Sequence, residues 1–446
     1  MPSECVRVKL GDLIRVKHGF AFKGEHFVDE PSSHVLVTPG NFAIGGGFQD
    51  TKLKFYRGPV PEEYILKPGD LVVTMTDLSR TADTLGFGAV VPQSAQWVYL
   101  HNQRIGLIEL LQPSKVSKVW LHYLMRTSDY RTWVVGSATG STVKHTSPSR
   151  ICDFEFDLPP LAVQREAAAT LDTLEGRISL LRQTNATLES IAQALFKSWF
   201  IDFDPVRAKA EGREPEGMEA ATAALFPAEF EESALGLIPR GWGVVPFAET
   251  VNIMGGGTPK TSVAEFWGGD VPWFSVVDAP DFGQVFTLRT EKSITTAGVE
   301  NSSTRVLPAW TTIISARGTV GKLAMTACPM AMNQSCYGLV PKLSGTEPLV
   351  YLAAQHLVDD LKRLAHGGVF DTITRDTLSS VDVANAPSDV RASFAAMVKP
   401  MFEQIQEGVA RMSTLAELRD TLLPRLISGK LRLPEGRDQQ LEGATV

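Results

Sequence analysis

The sequence contains no apolar run close to the ~20 residues that a bilayer-spanning helix requires. Its start, MPSECVRVKLGD, lacks the apolar stretch of a secretory signal peptide. Its cysteines form no CxxC pair, the spacing typical of zinc sites and redox centres; they are Cys5, Cys152, Cys328 and Cys336. We therefore expect a cytoplasmic protein with free, reduced thiols and no membrane partner.

Sequence signatures of catalysis are also missing. The run GGGTPKT at 255–261 resembles a phosphate-binding loop, but Pro259 stands where that loop needs a glycine, and proline has no N–H to offer phosphate. The order of DLPP at 157–160 does not match the Asp-Pro-Pro-aromatic tetrad of adenine methyltransferases. The eight histidines lack metal-ligand spacing, and Asp202 and Asp204 have no third ligand nearby. The sequence thus predicts no catalytic site, no metal site and no bound cofactor.

The net charge of −7 is unevenly distributed along the 446 residues. Residues 201–240 carry nine acidic and four basic side chains, whereas residues 1–160 carry 16 acidic and 17 basic ones. A nucleic-acid reader needs a local basic surface rather than a basic total. The charge pattern therefore permits such a surface outside the acidic connecting segment.

A heptad pattern of apolar residues runs through two segments of the chain. In the first segment Asn185, Ala192 and Trp199 fill the positions that are not leucine or isoleucine. Adding 227 to the residue numbers reaches a second set with the same spacing. The two sets are Leu171, Leu174, Ile178, Leu181, Leu188 and Leu195, then Val398, Met401, Ile405, Gly408, Met412, Leu415 and Leu422. This spacing predicts two long helices that pack on each other as an antiparallel coiled coil. Asn185 either fixes the register of that seam or faces solvent.

The same duplication extends into the regions before the helices. Pro160 matches Pro387 at the offset of 227, and Asn102-Gln103 matches Asn333-Gln334 at 231. The segment LKPGDLVVT at 66–74 matches VLPAWTTIIS at 306–315. The drifting offset indicates a repeated scaffold with loops of different length, which suits one fold that presents two different surfaces.

The repeat predicts an α+β chain with two globular recognition domains of mixed α/β structure and two long helices, related by a pseudo-two-fold axis. The expected bounds are 1–160 for the first domain, 161–200 for the first helix, 201–240 for an acidic linker, 241–387 for the second domain, 388–430 for the second helix and 431–446 for a polar tail.

Candidate binding residues follow from the side chains that DNA readers use. Asn, Gln, Arg and Lys reach base edges, while small polar groups and glycine-rich turns contact phosphates. The candidates in the first domain are Phe22, Lys23, Asn41, Arg80, Asn102, Gln103, Arg104, Thr142 and Lys144. Those in the second domain are Thr258, Lys260, Ser275, Asp278, Arg317, Asn333 and Gln334. Each also has an ordinary explanation as a turn or core residue.

Several stretches resemble one known family, the specificity subunits of type I restriction-modification enzymes. GWGVVPFAE at 241–249, GGGTPKT, and EFWGGDVPWFSVVD at 265–278 are similar to the opening of a target recognition domain of that family. DLPPLAVQREAAATLD at 157–172 resembles the entry to its first conserved helix. KSWFIDFDPVRAK at 197–209 and LRDTLLPRLISGKLRL at 418–433 resemble the exits of the two helices. The first domain departs from the pattern, with HGFAFK in place of the GGTPxT run.

The resemblance implies a non-catalytic subunit of a bacterial or archaeal complex. Each recognition domain would read one half of a bipartite, asymmetric site in double-stranded DNA, and the helices would set the spacing between the halves. Two methyltransferase subunits would dock along the helices, and motor/nuclease subunits would join them. S-adenosylmethionine, ATP and magnesium would belong to those partners. An interaction scaffold with two adaptor domains on a coiled coil is the alternative.

Overall fold

The computed structural model describes residues 5–79, 81–365 and 372–432, and these form two compact units. The first unit takes the described residues up to Gly176 and from Leu415 onward, and the second takes Arg177–Thr414. Each unit thus contains one globular region and a part of each long helix. The polar tail, apart from its first two residues, lies outside the described residues.

The first unit and the helix that leaves it contain the first half of the secondary structure. The strands are β1 (Val6–Lys9), β2 (Ile14–His18), β3 (Phe27–Val28), β4 (His34–Val37), β5 (Phe55–Tyr56), β6 (Leu71–Thr74), β7 (Thr76–Asp77), β8 (Gly88–Val90), β9 (Val98–His101), β10 (Ile105–Leu110), β11 (Lys144–His145) and β12 (Glu155–Leu158). The helices are α1 (Lys118–Leu124), α2 (Ser128–Gly136), α3 (Pro148–Cys152) and α4 (Leu161–Phe200).

Two four-stranded sheets organise the first unit, in the strand orders β2-β10-β6-β8 and β3-β5-β4-β9. The first is antiparallel, and β4 and β9 of the second are parallel. Strand β1 pairs with β12, which brings the start of the domain to the entry of α4. The main core lies between the first sheet, α1 and the long helices, around the fully buried Trp120 and Leu171.

The acidic segment 201–240 contains regular secondary structure. It forms two short helices, α5 (Asp204–Ala210) and α6 (Ala220–Ala223), and an antiparallel hairpin of β13 (Phe230–Ser233) and β14 (Gly236–Pro239). Phe226 is buried and contacts the ring of Trp199 edge-on. This aromatic contact explains why the segment is ordered despite its acidic composition.

The remaining elements belong to the second unit. The strands are β15 (Gly243–Pro246), β16 (Val251–Gly255), β17 (Trp267–Phe274), β18 (Phe286–Thr287), β19 (Lys292–Ile294), β20 (Thr312–Ser315), β21 (Leu323–Thr326), β22 (Ala331–Met332), β23 (Cys336–Pro341) and β24 (Asp382–Asn385). The helices are α7 (Thr296–Glu300), α8 (Glu347–Ala365), α9 (Arg375–Ser379) and α10 (Ser388–Ile427).

The strand pairing of the second unit repeats that of the first. The sheet β16-β23-β20-β21-β18 corresponds to β2-β10-β6-β8 with one added edge strand, and the parallel pair β17-β22 corresponds to β4-β9. The pair β15-β24 corresponds to β1-β12. Two domains with the same topology but different loops are therefore the repeated unit, and the fold is α+β with a duplicated arrangement.

The long helices bury a face that follows the α-helix rather than a strict heptad. Leu171, Leu174, Ile178, Val398 and Ile405 are buried. Several expected seam residues are only half-buried, and a neighbour is buried in place of some of them: Glu189 for Leu188, Phe196 for Leu195 and Phe402 for Met401. Leu181, Leu415 and Leu422 are also half-buried. A straight helix of 3.6 residues per turn drifts about 20° per heptad, so the buried face moves to the next residue.

Contacts inside the second unit define the relative direction of the two long helices there. In the second unit Asn185 donates a hydrogen bond to the carbonyl oxygen of Ile405 at 3.2 Å, and Phe196 contacts Phe394. Residue numbers rise on α4 while they fall on α10, so the helices are antiparallel there. Asn185 is 1 % exposed and therefore lies in the seam rather than in solvent.

Among the described residues, no helix combines the length and apolarity that crossing a membrane requires.

Candidate nucleic-acid interface

In the first unit, strand ends from both sheets meet around one turn. Strands β2 and β6 end beside the first residues of β10, since His18 pairs with Gly106 and Thr74 pairs with Ile105. Strand β4 ends opposite His101, the last residue of β9. The segments that follow these strand ends share one edge of the unit with the turn at 102–104 between β9 and β10: they are 19–23, 38–41 and the described residues of 75–84.

The second unit builds the same edge. Strands β16 and β20 end beside the start of β23, where Gly255 pairs with Tyr337 and Ser315 pairs with Cys336. Strand β17 ends in parallel with β22. The corresponding segments are 256–261, 275–278, 316–321 and 333–335. All candidates predicted in this domain lie in these four segments, which the fold brings together.

A glycine makes the close approach at each edge possible. A Cβ atom placed on Gly19 would lie 2.1 Å from the carbonyl oxygen of Asn102, and one on Gly256 would lie 1.9 Å from that of Asn333. Only glycine permits backbone to approach backbone this closely. The N–H groups of Gln103 and Gly257 then donate across this contact, to the carbonyl oxygens of Phe20 and Met332.

Several predicted contact residues instead stabilise the turns. Asn41 is fully buried, and its Oδ1 accepts a hydrogen bond from the N–H of Thr38 at 2.9 Å. In the same way Asp278 Oδ2 accepts from the N–H and the hydroxyl of Ser275, at 2.8 and 2.9 Å. Each pair closes a capping box on a short 3-10 turn. The full burial of Asn41 corrects its expected role from DNA contact to support of the turn. Ser275 and Asp278 support their turn and stay half-buried, and their contact with DNA stays a prediction.

The asparagines of the Asn-Gln turns have a similar supporting role. Asn102 Oδ1 accepts from the N–H of Arg104 at 3.1 Å, and Asn333 Oδ1 accepts from the N–H of Ser335 at 3.0 Å. Such Asx turns shape the loop and direct the next side chain outward. Phe22 is corrected as well, because it is 7 % exposed and packs against Tyr56.

The exposed candidates supply positive charge at both edges. Arg104, Lys260 and Arg317 are exposed and Lys144 is half-buried, and none of them forms an ion pair with a residue that the structure describes. Lys23 is exposed but lies 3.8 Å from Glu25. Strand β11 places Lys144 opposite Asp77, and the exposed Thr142 precedes it. Arg80 lies outside the described residues. Unpaired cations at one edge attract an anionic ligand.

A polar pair in the second unit orients one further candidate. The hydroxyl of Thr258 donates to Oε1 of the exposed Gln334, which commits the amide oxygen of that side chain. The amide N–H groups are then the part of this side chain that can donate to an acceptor, such as a purine N7 atom or a phosphate oxygen. This geometry suits recognition of nucleic acid better than bond-making chemistry, and no group of metal-ligating side chains occurs among residues 5–79, 81–365 and 372–432.

Comparison with known proteins identifies this arrangement. The family model described as "Type I restriction modification DNA specificity domain" matches residues 2–190 and 239–387. The chain belongs to this family. The two matched segments contain the two recognition edges and the first part of α4, so the duplication of the specificity domain coincides with the repeated topology.

Named relatives agree with the family. The chain is 30 % identical over 346 residues to the type I restriction enzyme HindI specificity subunit of Haemophilus influenzae, covering 68 % of this chain and 75 % of the relative. It is 29 % identical to the MjaIX specificity subunit of Methanocaldococcus jannaschii, covering 42 % of this chain and 44 % of that relative. The crystal structure of the S subunit of a type I restriction-modification system from M. genitalium covers 95 % of this chain and 96 % of its own, with 13 % identity and a TM-score of 0.57, and so shares the fold.

The specificity-domain edge of the first unit contains a residue that the sequence analysis missed. Asp77 is 4 % exposed and accepts hydrogen bonds from the N–H of Ser79 and from the hydroxyl of Thr84. Burial raises the pKa of the Asp77 carboxyl, but these hydrogen bonds outweigh burial and hold the pKa below its usual value. Asp77 therefore holds Ser79 and Thr84, on either side of the loop that follows it, to one carboxylate. The Asp-x-Ser spacing of an Asx turn was the signal available in the sequence.

The corresponding loop in the second specificity domain is held by Ser315. Its hydroxyl donates to the carbonyl oxygen of Thr319 and accepts from the N–H of Lys322 at 2.8 Å. These bonds fold the segment that presents Arg317, and an isolated bridge pairs Arg317 with Thr372. A different residue type thus performs the same task in each domain, which is why the sequence repeat is weak here.

Polar ties also fasten the first specificity domain to its helices. Glu175 on α4 accepts from Arg126 at 2.8 Å and from Arg419 on α10 at 3.0 Å. Burial raises the pKa of the Glu175 carboxyl, while the two guanidinium groups lower it by more, so the pKa lies below its usual value. Tyr123 donates to Asp172 at 2.6 Å. These ties fix how the domain sits on the helical segments within its unit.

Proposed function

We propose that this chain is the DNA-specificity subunit of a type I restriction-modification complex and has no catalytic role of its own. The observation that carries the proposal is the duplicated edge, where a glycine permits close backbone approach and exposed cations lie in the segments that meet there in each unit. Each edge reads one half of a bipartite site in double-stranded DNA. The two halves differ in sequence because the loops of the two edges differ.

Each edge combines two kinds of contact. Lysines such as Lys144 and Lys260 neutralise phosphates, which positions the protein without reading sequence. Arg104, Arg317 and Gln334 reach base edges, where an arginine pairs with guanine through two hydrogen bonds. The supporting hydrogen bonds of Asn102, Asn333 and the capping boxes hold these side chains ready, so less conformational freedom is lost on binding.

The chemistry is supplied by partners. Two methyltransferase subunits dock along the long helices and transfer methyl groups from S-adenosylmethionine to adenine N6. Motor/nuclease subunits add ATP- and magnesium-dependent translocation and cleavage. The complex works in the cytoplasm of a bacterium or archaeon. In the second unit, α4 offers such partners the solvent-accessible side chains of Leu180 and Ile191.

A binding experiment tests the proposal. The purified chain is combined with its methyltransferase partner, and binding to a randomised duplex library is measured at several salt concentrations. We expect enrichment of one bipartite site with two defined halves, and an affinity that falls steeply as salt rises. A protein scaffold would show no sequence preference at any salt concentration. Methyl transfer from S-adenosylmethionine by the chain alone would contradict a purely recognitional role.

A further inference from the structure

A carboxylate is buried in the helical part of the second unit. Glu189 on α4 is 1 % exposed and forms no ion pair with any described residue. Its two oxygens accept from four donors, of which the side chains are Gln355 at 2.9 Å, Tyr351 at 3.2 Å and Gln193 at 3.3 Å. The fourth donor is the backbone N–H of Gly283 at 2.8 Å.

Gly283 connects this carboxylate to the recognition edge. It lies in the segment 279–285 that runs from the capping-box turn of Ser275 and Asp278 to β18. Its φ of +81° suits glycine, and a Cβ placed on it would lie 3.0 Å from the Cβ of Ala186 on α4. At the other end of the segment, Asp278 accepts from the N–H of Glu291 at 2.6 Å. The segment that shapes the edge is therefore held at both ends.

Stability alone does not account for a carboxylate at this position. An ionised group removed from water loses its hydration, and hydrogen bonds from neutral donors compensate only in part. An apolar side chain of similar volume would fill the same face of α4, as Phe196 does two turns later. What an apolar residue cannot do is accept a hydrogen bond from a backbone N–H and so determine where that loop lies.

The first unit provides a comparison. Tyr123 on α1 corresponds to Tyr351 on α8, and it also donates to a carboxylate of α4, namely Asp172. Asp172 is exposed, and no backbone N–H of a recognition segment donates to it among the described residues. Both tyrosines thus donate to a carboxylate of α4, although α4 follows the first domain and its repeat in the second unit is α10. The loop bond to Gly283 belongs to Glu189.

We infer that Glu189 is a positioning residue for sequence recognition by the second unit, acting through Gly283 on the segment 275–285. The inference rests on the proposed function and deepens it. Through this bond the helix on which partners dock determines the position of the turn that carries Ser275 and Asp278. That turn lies next to the Asn333-Gln334 turn, because the N–H of Asn333 donates to the carbonyl oxygen of Phe274 at 2.9 Å.

The test uses the chain in complex with its methyltransferase partner. Dissociation constants are measured for three duplexes: the preferred site, a site with one base pair changed in the half that Arg317 reads, and a site with one changed in the other half. A single wrong base pair weakens binding by about tenfold to a hundredfold. The variants are Glu189→Ala, Gly283→Ala and their combination, with Glu189→Gln as the conservative variant and Tyr123→Phe as the matched control in the first unit.

We expect Glu189→Ala and Gly283→Ala each to reduce discrimination in the half read by Arg317 by at least about fivefold, and to leave the other half unchanged. The double variant should reduce discrimination no more than the more damaging single substitution does, because both substitutions break the same hydrogen bond between Glu189 and Gly283. Glu189→Gln should retain most of the discrimination, since its amide oxygen still accepts from Gly283. Tyr123→Phe should not affect this half.

Three outcomes would overturn the inference: equal losses in both halves, unchanged discrimination in both alanine variants, or additive losses in the double variant. If Glu189→Ala does not fold, Gly283→Ala decides by itself, because it disturbs the same tie from the loop. Failure of the proposed function looks different: the unmutated complex would then discriminate in neither half.

Discussion

Replacing Gly256 by alanine perturbs the recognition edge of the second unit at its narrowest point. The new Cβ would lie 1.9 Å from the carbonyl oxygen of Asn333, whereas ordinary contact begins near 3.4 Å. The two backbone segments must therefore separate by about 1.5 Å, since neither partner is a flexible side-chain end. The carbonyl oxygen of Met332 lies at 2.8 Å from the same Cβ and prevents a sideways escape.

The consequence for binding follows from what the turn carries. Gln334 comes directly after Asn333, and the hydroxyl of Thr258 donates to its amide oxygen. A shift of about 1.5 Å breaks hydrogen bonds of normal length, so we expect to lose one base contact worth about 1–3 kcal/mol. The affinity for the preferred site should fall about tenfold to a hundredfold. Overpacking should also lower the free energy of unfolding by about 1–3 kcal/mol.

Gly255→Ala is the matched control. Its Cβ would meet no atom within 4 Å, and its φ is not in the left-handed region. The assay is the dissociation constant of the complex for its preferred duplex, together with the unfolding free energy of the chain. We expect Gly255→Ala to resemble the unmutated protein in both. Equal effects of the two substitutions, or full affinity with Gly256→Ala, would refute the reasoning from close backbone approach.

Three further predictions concern charge. Arg317→Ala should weaken binding by about 1–3 kcal/mol and relax the preference at one base pair, as measured with single-substitution duplexes; unaltered preference and affinity would remove it from the interface. Glu175→Gln should remove part of the acid sensitivity of the first unit. The pKa of Glu175 is lowered in the folded protein, so its pairing with Arg126 and Arg419 stabilises the unit at pH values above the ordinary pKa of 4.5, and this stabilisation is lost as the pH falls below 4.5. The measurement is the free energy of unfolding of both proteins between pH 6 and 3. Identical pH profiles for the variant and the unmutated protein would contradict the prediction. Asp77→Ala should loosen the loop 78–86 and weaken reading by the first unit alone, and an equal loss in both half-sites would speak against this role.

Much of the architecture is predictable from the chain. The constant offset of 227 between apolar positions predicts the two long helices, and Leu161 and Ser388 begin them close to the expected positions. The matched segments before each helix predict a repeated domain. These features are local in sequence, because helical periodicity and strand content depend on the order of neighbouring residues.

The roles of individual site residues were less predictable. Asn41 and Phe22 were both candidate contacts by their place in the sequence, but the fold buries both. Asp77 organises a loop through donors that follow it closely, yet its importance depends on burial that the sequence does not display. Exposure is a property of long-range packing, so a residue type alone does not separate a contact from a support.

The long helices are a case in which the residues that the sequence pattern predicts to be buried differ from those that the structure buries. The heptad spacing pointed to Leu188 and Leu195, and the structure buries Glu189 and Phe196 instead. A carboxylate within a helix reads as a surface residue in sequence. Gln193 on the same helix donates to it, and the approach of α8 and of Gly283 supplies the three other donors that allow it to be buried.

The sequence by itself determined that this protein is a duplication of a domain and a helix, and that the duplicated parts resemble specificity subunits, because repeats and short motifs survive in residue order. The tertiary structure decided which side chains form each recognition edge. It gathers three segments far apart in sequence around one Asn-Gln turn, and Gly19 in the first unit and Gly256 in the second permit backbone to approach that turn closely. Such contacts depend on strand register and backbone distance, which no single stretch of sequence encodes.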